Sequence, residues 1–226
     1  MDTDKCTQKT NIDINGQTVE NVNHFEYLGA RIEGDGRSGN EIRRRLAIAK
    51  QKLNKMKQVW KGQNTGTKLR IMKACVFPIA IYGCEAWTPL KIDLQRIDSF
   101  EMQCYRKILR IPWTAKITNE KVRQKLKIKY KYLNTKVKKL KLSFFGHIKR
   151  HESLEKTILE GELQGKRGRG KPRRSWKDDI EKWLGMDVEG AGNLAQNRTR
   201  YRRCTRAATS QEATVKNDVT RYMLQW

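Results

Sequence analysis

The side chains in this sequence best suited to engaging a ligand are cations set in rows. Arg43, Arg44, Lys50, Lys55, Lys57 and Lys61 recur at helical spacing; Lys136, Lys138 and Lys139 crowd a second stretch. Lys166, Arg167, Arg169, Lys171, Arg173 and Arg174 fill a third, interleaved with glycine. Cations every three or four residues along a helix present charge at intervals that suit a phosphate backbone. Glycines among arginines let the main chain follow a strand closely while the guanidinium groups fork onto phosphates. Such rows bind charge, not sequence. The plain alternatives are a solvated face and, for the third stretch, a basic linker or a nuclear-localisation patch.

Groups that make or break bonds are sparse. Nucleotidyl transfer needs carboxylates converging on two Mg²⁺ ions about 3.5–4 Å apart, and the only Asp-Asp pair is Asp178-Asp179. That pair falls in the first turn of an expected helix, where acids complement the helix dipole, so no catalytic residue is assigned. His147 and His151, four residues apart, are able to face one metal with Cys75 or Cys84, but the spacing supplies no further ligand. Cys6, Cys75, Cys84, Cys104 and Cys204 are odd in number and contain no Cys-x-x-Cys, which argues against a disulfide framework or a zinc knuckle. No phosphate-binding Gly-x-x-x-x-Gly-Lys-Ser/Thr loop or Gly-x-Ser-x-Gly elbow occurs. Neither a metal nor a cofactor is expected.

The charge balance says where a polyanion would dock. Forty-nine Lys and Arg face 24 Asp and Glu, a net charge of +25 at pH 7. Residues 1–37 carry −3, residues 38–87 +9, residues 88–151 +14 and residues 152–226 +5. Between 116 and 150 there are 13 basic groups and the single acid Glu120, a surplus that internal ion pairs cannot neutralise. RNA or DNA is therefore the expected partner. With 37% hydrophobic residues and a mean hydropathy of −0.82, most elements bury one face only. The longest nearly uncharged apolar run, Ala74 to Cys84, contains Pro78 and is far short of the roughly 20 residues of a membrane span. The acidic start Met1-Asp2-Thr3-Asp4 has no apolar stretch behind it, so no secretory signal and an intracellular location, nuclear or cytoplasmic, are expected.

The elements that must position the cations are mostly helical. Ile12 and Ile14 alternate with polar residues before Asn15-Gly16, the dipeptide favoured in a type I′ turn, and Thr18 to Val22 is the return strand. Phe25 to Glu33 reads as a third strand ending at Gly34-Asp35-Gly36, which makes one small antiparallel sheet. From Asn40 the period becomes helical through Ile42, Leu46, Ala49, Leu53, Met56 and Trp60. A second helix begins near Thr67 and is kinked or divided by Pro78. A third carries Leu94, Ile97, Phe100, Cys104, Tyr105 and Ile108 and stops before Ile111-Pro112. Thr118 caps a short helix to Leu126, and a lysine-dense helix follows with Leu133, Val137, Leu140, Phe144 and Ile148 as its apolar stripe. Ser175 and Asp178 form a capping box for a helix bearing Trp176, Ile180 and Trp183, expected as a small separate module. Asn193 to Ala208 suits one more helix with Arg198, Arg200, Arg202, Arg203 and Arg206; the last 18 residues carry no signal. The fold class is mostly α with a small N-terminal antiparallel β-hairpin sheet (α+β). Expected divisions are a hairpin segment 1–37, a basic helical domain 38–151, a Gly-rich basic linker 152–174 and a helical module 175–226.

Four short segments add a resemblance. Phe25-Glu26-Tyr27-Leu28-Gly29, Tyr82-Gly83-Cys84-Glu85-Ala86-Trp87, Gly146-His147-Ile148-Lys149-Arg150 and Gly168-Arg169-Gly170-Lys171-Pro172 occur in this order. Together, from about residue 11 to about 206, they resemble the C-terminal part of reverse transcriptases of non-LTR retrotransposons, most like RTE-like long interspersed elements. The resemblance implies that Phe25, Tyr27, Leu28 and Gly29 match a primer grip, and that residues 38–87 match the thumb that closes on a template-primer duplex. It implies an RNA- or DNA-binding C-terminal extension beyond Trp87. It also implies that the metal-binding aspartates belong to a palm upstream of the Tyr-Leu-Gly motif, so the chain is not expected to polymerise alone. A separate catalytic palm becomes a possible partner, and a structural or protein-interaction remnant is the other reading.

Overall fold

The computed structural model describes residues 12–20, 22–160 and 174–210. Strands β1 (Ile12–Ile14) and β2 (Gln17–Val19) pair antiparallel around Asn15-Gly16, whose φ angles of 51° and 78° are those a type I′ turn demands. The expected third strand is a second hairpin. β3 (His24–Tyr27) and β4 (Ala30–Glu33) fold back on each other at Leu28-Gly29, with φ of 48° and 74°. Gly29 has no Cβ to oppose the left-handed conformation, so the chain reverses just after Tyr27 and does not run straight on to Gly34. Two separate two-stranded sheets replace the single sheet. The Tyr-Leu-Gly motif is a turn.

Eleven α-helices among the described residues, following the sheets in chain order, carry the rest. Helix α1 (Gly39–Lys55) buries Ile42, Ala49 and Leu53. The expected single helix from Asn40 through Trp60 breaks at Met56, where ψ turns to +30°, and restarts as α2 (Lys57–Gly62). Trp60 mends the break by donating its indole N–H to Leu53 O at 2.8 Å, satisfying a carbonyl that the interrupted ladder leaves open. Asn64 caps α3 (Thr65–Ile71), which passes through a π turn at Met72–Val76 into α4 (Phe77–Ala80). Pro78 divides the helix by sitting in the first turn of α4, where its missing N–H is not needed. After a 3₁₀ turn at Cys84–Ala86 comes α5 (Lys91–Leu109), then α6 (Asn119–Lys125), capped by Thr118 Oγ1 as its sequence suggests. These elements enclose one core around Phe77, Tyr105, Ile97, Met72 and Leu133.

Helix α7 (Tyr132–Arg150) is the spine. Its first half belongs to that core, while Leu142 and Phe145 join a second cluster with Ile180, Leu184, Ala191, Ala195 and Tyr201. The expected stripe holds at Leu133, Val137 and Ile148, which are buried, while Leu140 and Phe144 are half-buried and the burial extends to Lys141 and Lys149. A helix packed on several sides has no single apolar face, and polar atoms join the core where partners meet them. Helix α8 (Leu154–Glu160) occupies part of the expected linker. Helix α9 (Trp176–Leu184) starts at the Ser175–Asp178 capping box. The helix expected over 193–208 is two, α10 (Val188–Gln196) and α11 (Arg198–Thr209), because Asn197 leaves the helical conformation and its side chain caps the second. Helices α9, α10 and α11 dock on the second half of α7 and do not stand apart from it. Among the described residues no helix is long and apolar enough to cross a membrane.

Candidate nucleic-acid interface

An open groove of about 1200 Å³ lies between α2 and the C-terminal half of α5. Lys57 and Lys61, one helical turn apart on α2, form one wall; Arg106, Lys107 and Arg110 on α5 form the other. Its lining contains no Asp or Glu, and Trp60, Met102, Ile111 and Pro112 give it an apolar floor. Two of the arginines also hold the walls in place. Arg110, in the left-handed conformation at φ 54°, donates to Trp60 O at 3.4 Å and to Lys61 O, tying the end of α5 to the end of α2. Arg106 donates to Ile117 O at 2.6 Å and to Asn119 Oδ1 at 3.1 Å. Lys57, Lys61 and Lys107 pair with no acid among the described residues. The groove shares Ser99 and Gln103 with a shallower hollow between α1 and α5 that carries Lys50 and Arg96. Asp93, the acid beneath that hollow, is buried and pairs with Arg96 at 2.7 Å. The result is a cationic track from α1 along α2 and α5. Clustered cations without acids concentrate potential, and the open mouth lets a polymer enter sideways.

The expected contact residues divide between surface and scaffold. Lys50 and Lys57 lie on this track, and Lys55 is exposed beside it on the last turn of α1. Arg43 is exposed but turned along its own helix, donating to Asn40 Oδ1 at 2.8 Å. Arg44 is not a free cation: it pairs with Glu26 and Glu41, each at 3.2 Å, and donates to Gly29 O at 3.1 Å. Arg174 pairs with the buried carboxylate of Asp179. Lys136 opens onto a different pocket, between the Tyr-Leu-Gly turn, α4 and α7; Lys139 is exposed. Lys138 lies 5.8 Å from the Trp183 ring centre, and burial together with Lys182 lowers its pKa below the usual lysine range. Lys166, Arg167, Arg169, Lys171 and Arg173 lie outside the described residues. Sequence reading set Lys61 in the first cation row but missed Arg106, Lys107 and Arg110 as site residues. Their signal was the acid-free cluster of cations closing α5, set against a helix that the Met56 break turns towards it.

The first two resemblance segments meet each other, and the third meets α10 and α11. Tyr82 Oη donates to Leu28 O at 3.0 Å, and Arg45 stacks its guanidinium 4.3 Å over the Tyr82 ring while donating to Gly29 O. Phe25, Tyr27 and Leu28 remain exposed, Leu28 to 74%. Trp87 O accepts from the buried Lys141 ammonium at 2.8 Å, and Glu85 O accepts from Trp176 Nε1 at 2.8 Å. Lys141 in turn faces Asp179 at 2.6 Å, with both side chains 0% exposed. Asp178 and Asp179 are thus spent on structure, the first closing the capping box and the second neutralising Lys141. Gly146 lets α11 approach: a Cβ there would lie 2.4 Å from the Tyr201 ring, whose hydroxyl donates to Leu142 O at 2.7 Å. Arg150 donates to Ala195 O at 2.9 Å and Gln196 donates to Lys149 O at 2.8 Å, fastening α10.

The titratable groups form no cluster that could hold a metal ion among the described residues. The His147 and His151 rings are 4.3 Å apart, yet no group of three or more His, Cys, Asp or Glu is gathered there or elsewhere in the described chain. Burial, with Glu85 nearby, pushes the Cys84 thiol up to about 12, which keeps it protonated and a poor metal ligand at neutral pH. Glu101 is fully buried and accepts from the Tyr132 and Leu133 N–H groups at 2.9 and 2.6 Å, capping α7; burial pushes its carboxyl above the usual range despite those donors. No family model, curated protein or solved structure matches the chain.

Proposed function

We propose that this chain binds RNA or DNA through phosphates in the α2–α5 groove, and that it corresponds to the thumb and C-terminal extension of a non-LTR retrotransposon reverse transcriptase, without polymerising on its own. The observation that carries the binding reading is the acid-free lining of the groove, where Lys57, Lys61 and Lys107 project without partners among the described residues. Cations held close together by a scaffold repel one another, and a phosphodiester backbone relieves that repulsion while releasing its own counterions. The descent is supported by the order of the four motif segments and by the contact that joins Leu28 of the first to Tyr82 of the second. Lysine acetylation read by mass spectrometry tests the binding reading. Bound to a 20-nucleotide RNA or a hybrid duplex, Lys57, Lys61 and Lys107 are protected while Lys91 reacts as in the free protein. Uniform reactivity with and without nucleic acid refutes it.

The exposed apolar residues of the second hairpin favour an additional partner. Phe25, Tyr27, Leu28 and Ile32 leave more than half of each side chain in solvent, beside a pocket of about 660 Å³ walled by Tyr82, Phe77 and Tyr132. Such a patch suits docking onto a separately supplied catalytic palm. Co-purification with such a palm and primer extension by the pair, lost on Leu28→Asp, test this; extension by the palm alone at the same rate refutes it.

A further inference from the structure

We propose that α11 is a second phosphodiester-binding face, separate from the groove, so that one chain holds two nucleic-acid segments at once; this rests on the nucleic-acid reading above. Helix α11 spends its apolar side on α7, burying Tyr201 and Thr205. The opposite arc carries Arg200, Arg202, Arg203 and Arg206, all exposed, and Arg198 opens the helix. Their guanidinium groups meet no acid among the described residues, and residues 190–210 contain no Asp or Glu at all. Elsewhere the fold employs its arginines: Arg44 and Arg174 in ion pairs, Arg106, Arg110 and Arg150 on carbonyls. Five guanidinium groups on a 12-residue helix, roughly 18 Å long, are a dense array of rigid forks whose geometry matches phosphate oxygens. A lipid surface would need apolar side chains on the same exposed arc, and those of α11 are already packed on α7.

The two faces are anchored at different places on α7. Helix α5 meets α7 where Glu101 caps Tyr132 and Leu133, while α11 meets it where Tyr201 packs on Gly146 and bonds to Leu142. The thirteen-residue step from Leu133 to Gly146 corresponds to roughly 20 Å along α7. That exceeds twice the Debye length of about 8 Å at physiological salt, so occupancy of one face screens weakly against the other.

Titration of the full chain with a fluorescent 12-base-pair duplex, in DNA and RNA forms, tests the proposal by stoichiometry at concentrations above the dissociation constant. Two duplexes per chain are expected for the wild type. One is expected for the combined variant Arg200→Gln, Arg202→Gln, Arg203→Gln and Arg206→Gln, whose unchanged circular dichroism shows that the helix persists. The groove variant Lys57→Gln, Lys61→Gln and Lys107→Gln should also fall to one. Two equivalents retained by the arginine variant overturn the proposal. So does a wild type that binds one, or an arginine variant that keeps both duplexes and loses only binding to phosphatidylserine vesicles. A groove variant that still binds two, beside an arginine variant that binds one, leaves α11 standing and removes the groove reading instead.

Discussion

Removing the Asp179 carboxylate should unfasten the C-terminal helices from α7. In Asp179→Ala the Lys141 ammonium stays fully buried with only Trp87 O and the faces of Trp176 and Trp183 around it, at 4.8 and 5.6 Å from the ring centres. Breaking one side of a buried pair typically costs about 3–5 kcal/mol, because the remaining charge is desolvated without compensation. For a chain of this length about 1 kcal/mol moves Tm by roughly 2–4 °C, so the expected fall is on the order of 6–20 °C. Lys141→Met should cost less, since Arg174, still partly exposed, continues to neutralise Asp179. The double variant Lys141→Met with Asp179→Leu should recover most of the loss, with about 1 kcal/mol outstanding for the orphaned Trp87 carbonyl. Urea unfolding followed by tryptophan fluorescence reports the cycle directly, because Trp87, Trp176 and Trp183 surround the pair. Additive losses in the double variant, or an Asp179→Ala change below about 1 kcal/mol, would show that the pair is not coupled and refute the reasoning.

Gly146→Ala forces a methyl group against the Tyr201 ring and should destabilise the chain by about 1–3 kcal/mol in a thermal melt, while Tyr201→Phe, which loses only the bond to Leu142 O, should cost about 1 kcal/mol. Glu101 supplies a pH dependence whose sign follows from its raised folded-state pKa. Its contribution is fully present below the ordinary glutamate value near 4.5 and is lost as pH rises through the folded value. Wild-type stability relative to Glu101→Gln should therefore fall as pH climbs above about 4.5, and a pH-independent difference in urea midpoints would count against the assignment. Lys57→Glu combined with Lys107→Glu should weaken nucleic-acid binding at least tenfold in filter assays while leaving the melting temperature within a few degrees, since neither side chain has a partner among the described residues.

What could be read from the chain alone depended on local signals. Asn15-Gly16, Thr118 and the Ser175–Asp178 box each act within four residues, and each forms the turn or cap its chemistry specifies. The hairpin at Leu28-Gly29 was concealed because a leucine at positive φ is unusual and the flanking residues have strand propensity on both sides. The Met56 break has no Gly or Pro to announce it; it is held by the Trp60 indole on Leu53 O and by Arg110, a contact that exists only once α5 is in position. Likewise, Lys141 and Lys149 look like members of a solvated lysine row. Their burial is decided by α9 and α10 arriving from beyond residue 175, bringing Asp179 to one and packing Gly192 against the stem of the other. Of the expected contact residues, Lys57 lines the groove and Lys50 the hollow beside it, but Arg44 and Arg174 are taken up by Glu26, Glu41 and Asp179, pairings that a count of charges does not reveal.

The salt dependence of binding, measured for the wild type and for the Lys57→Gln, Lys61→Gln and Lys107→Gln variant, bears most directly on the claim that the α2–α5 groove grips phosphates. Each phosphate contact contributes roughly 0.7–0.9 to the slope of log K against log salt, so the variant should be shallower by about 2–3. Equal slopes for the two proteins, or a flat line for the wild type, would contradict the account.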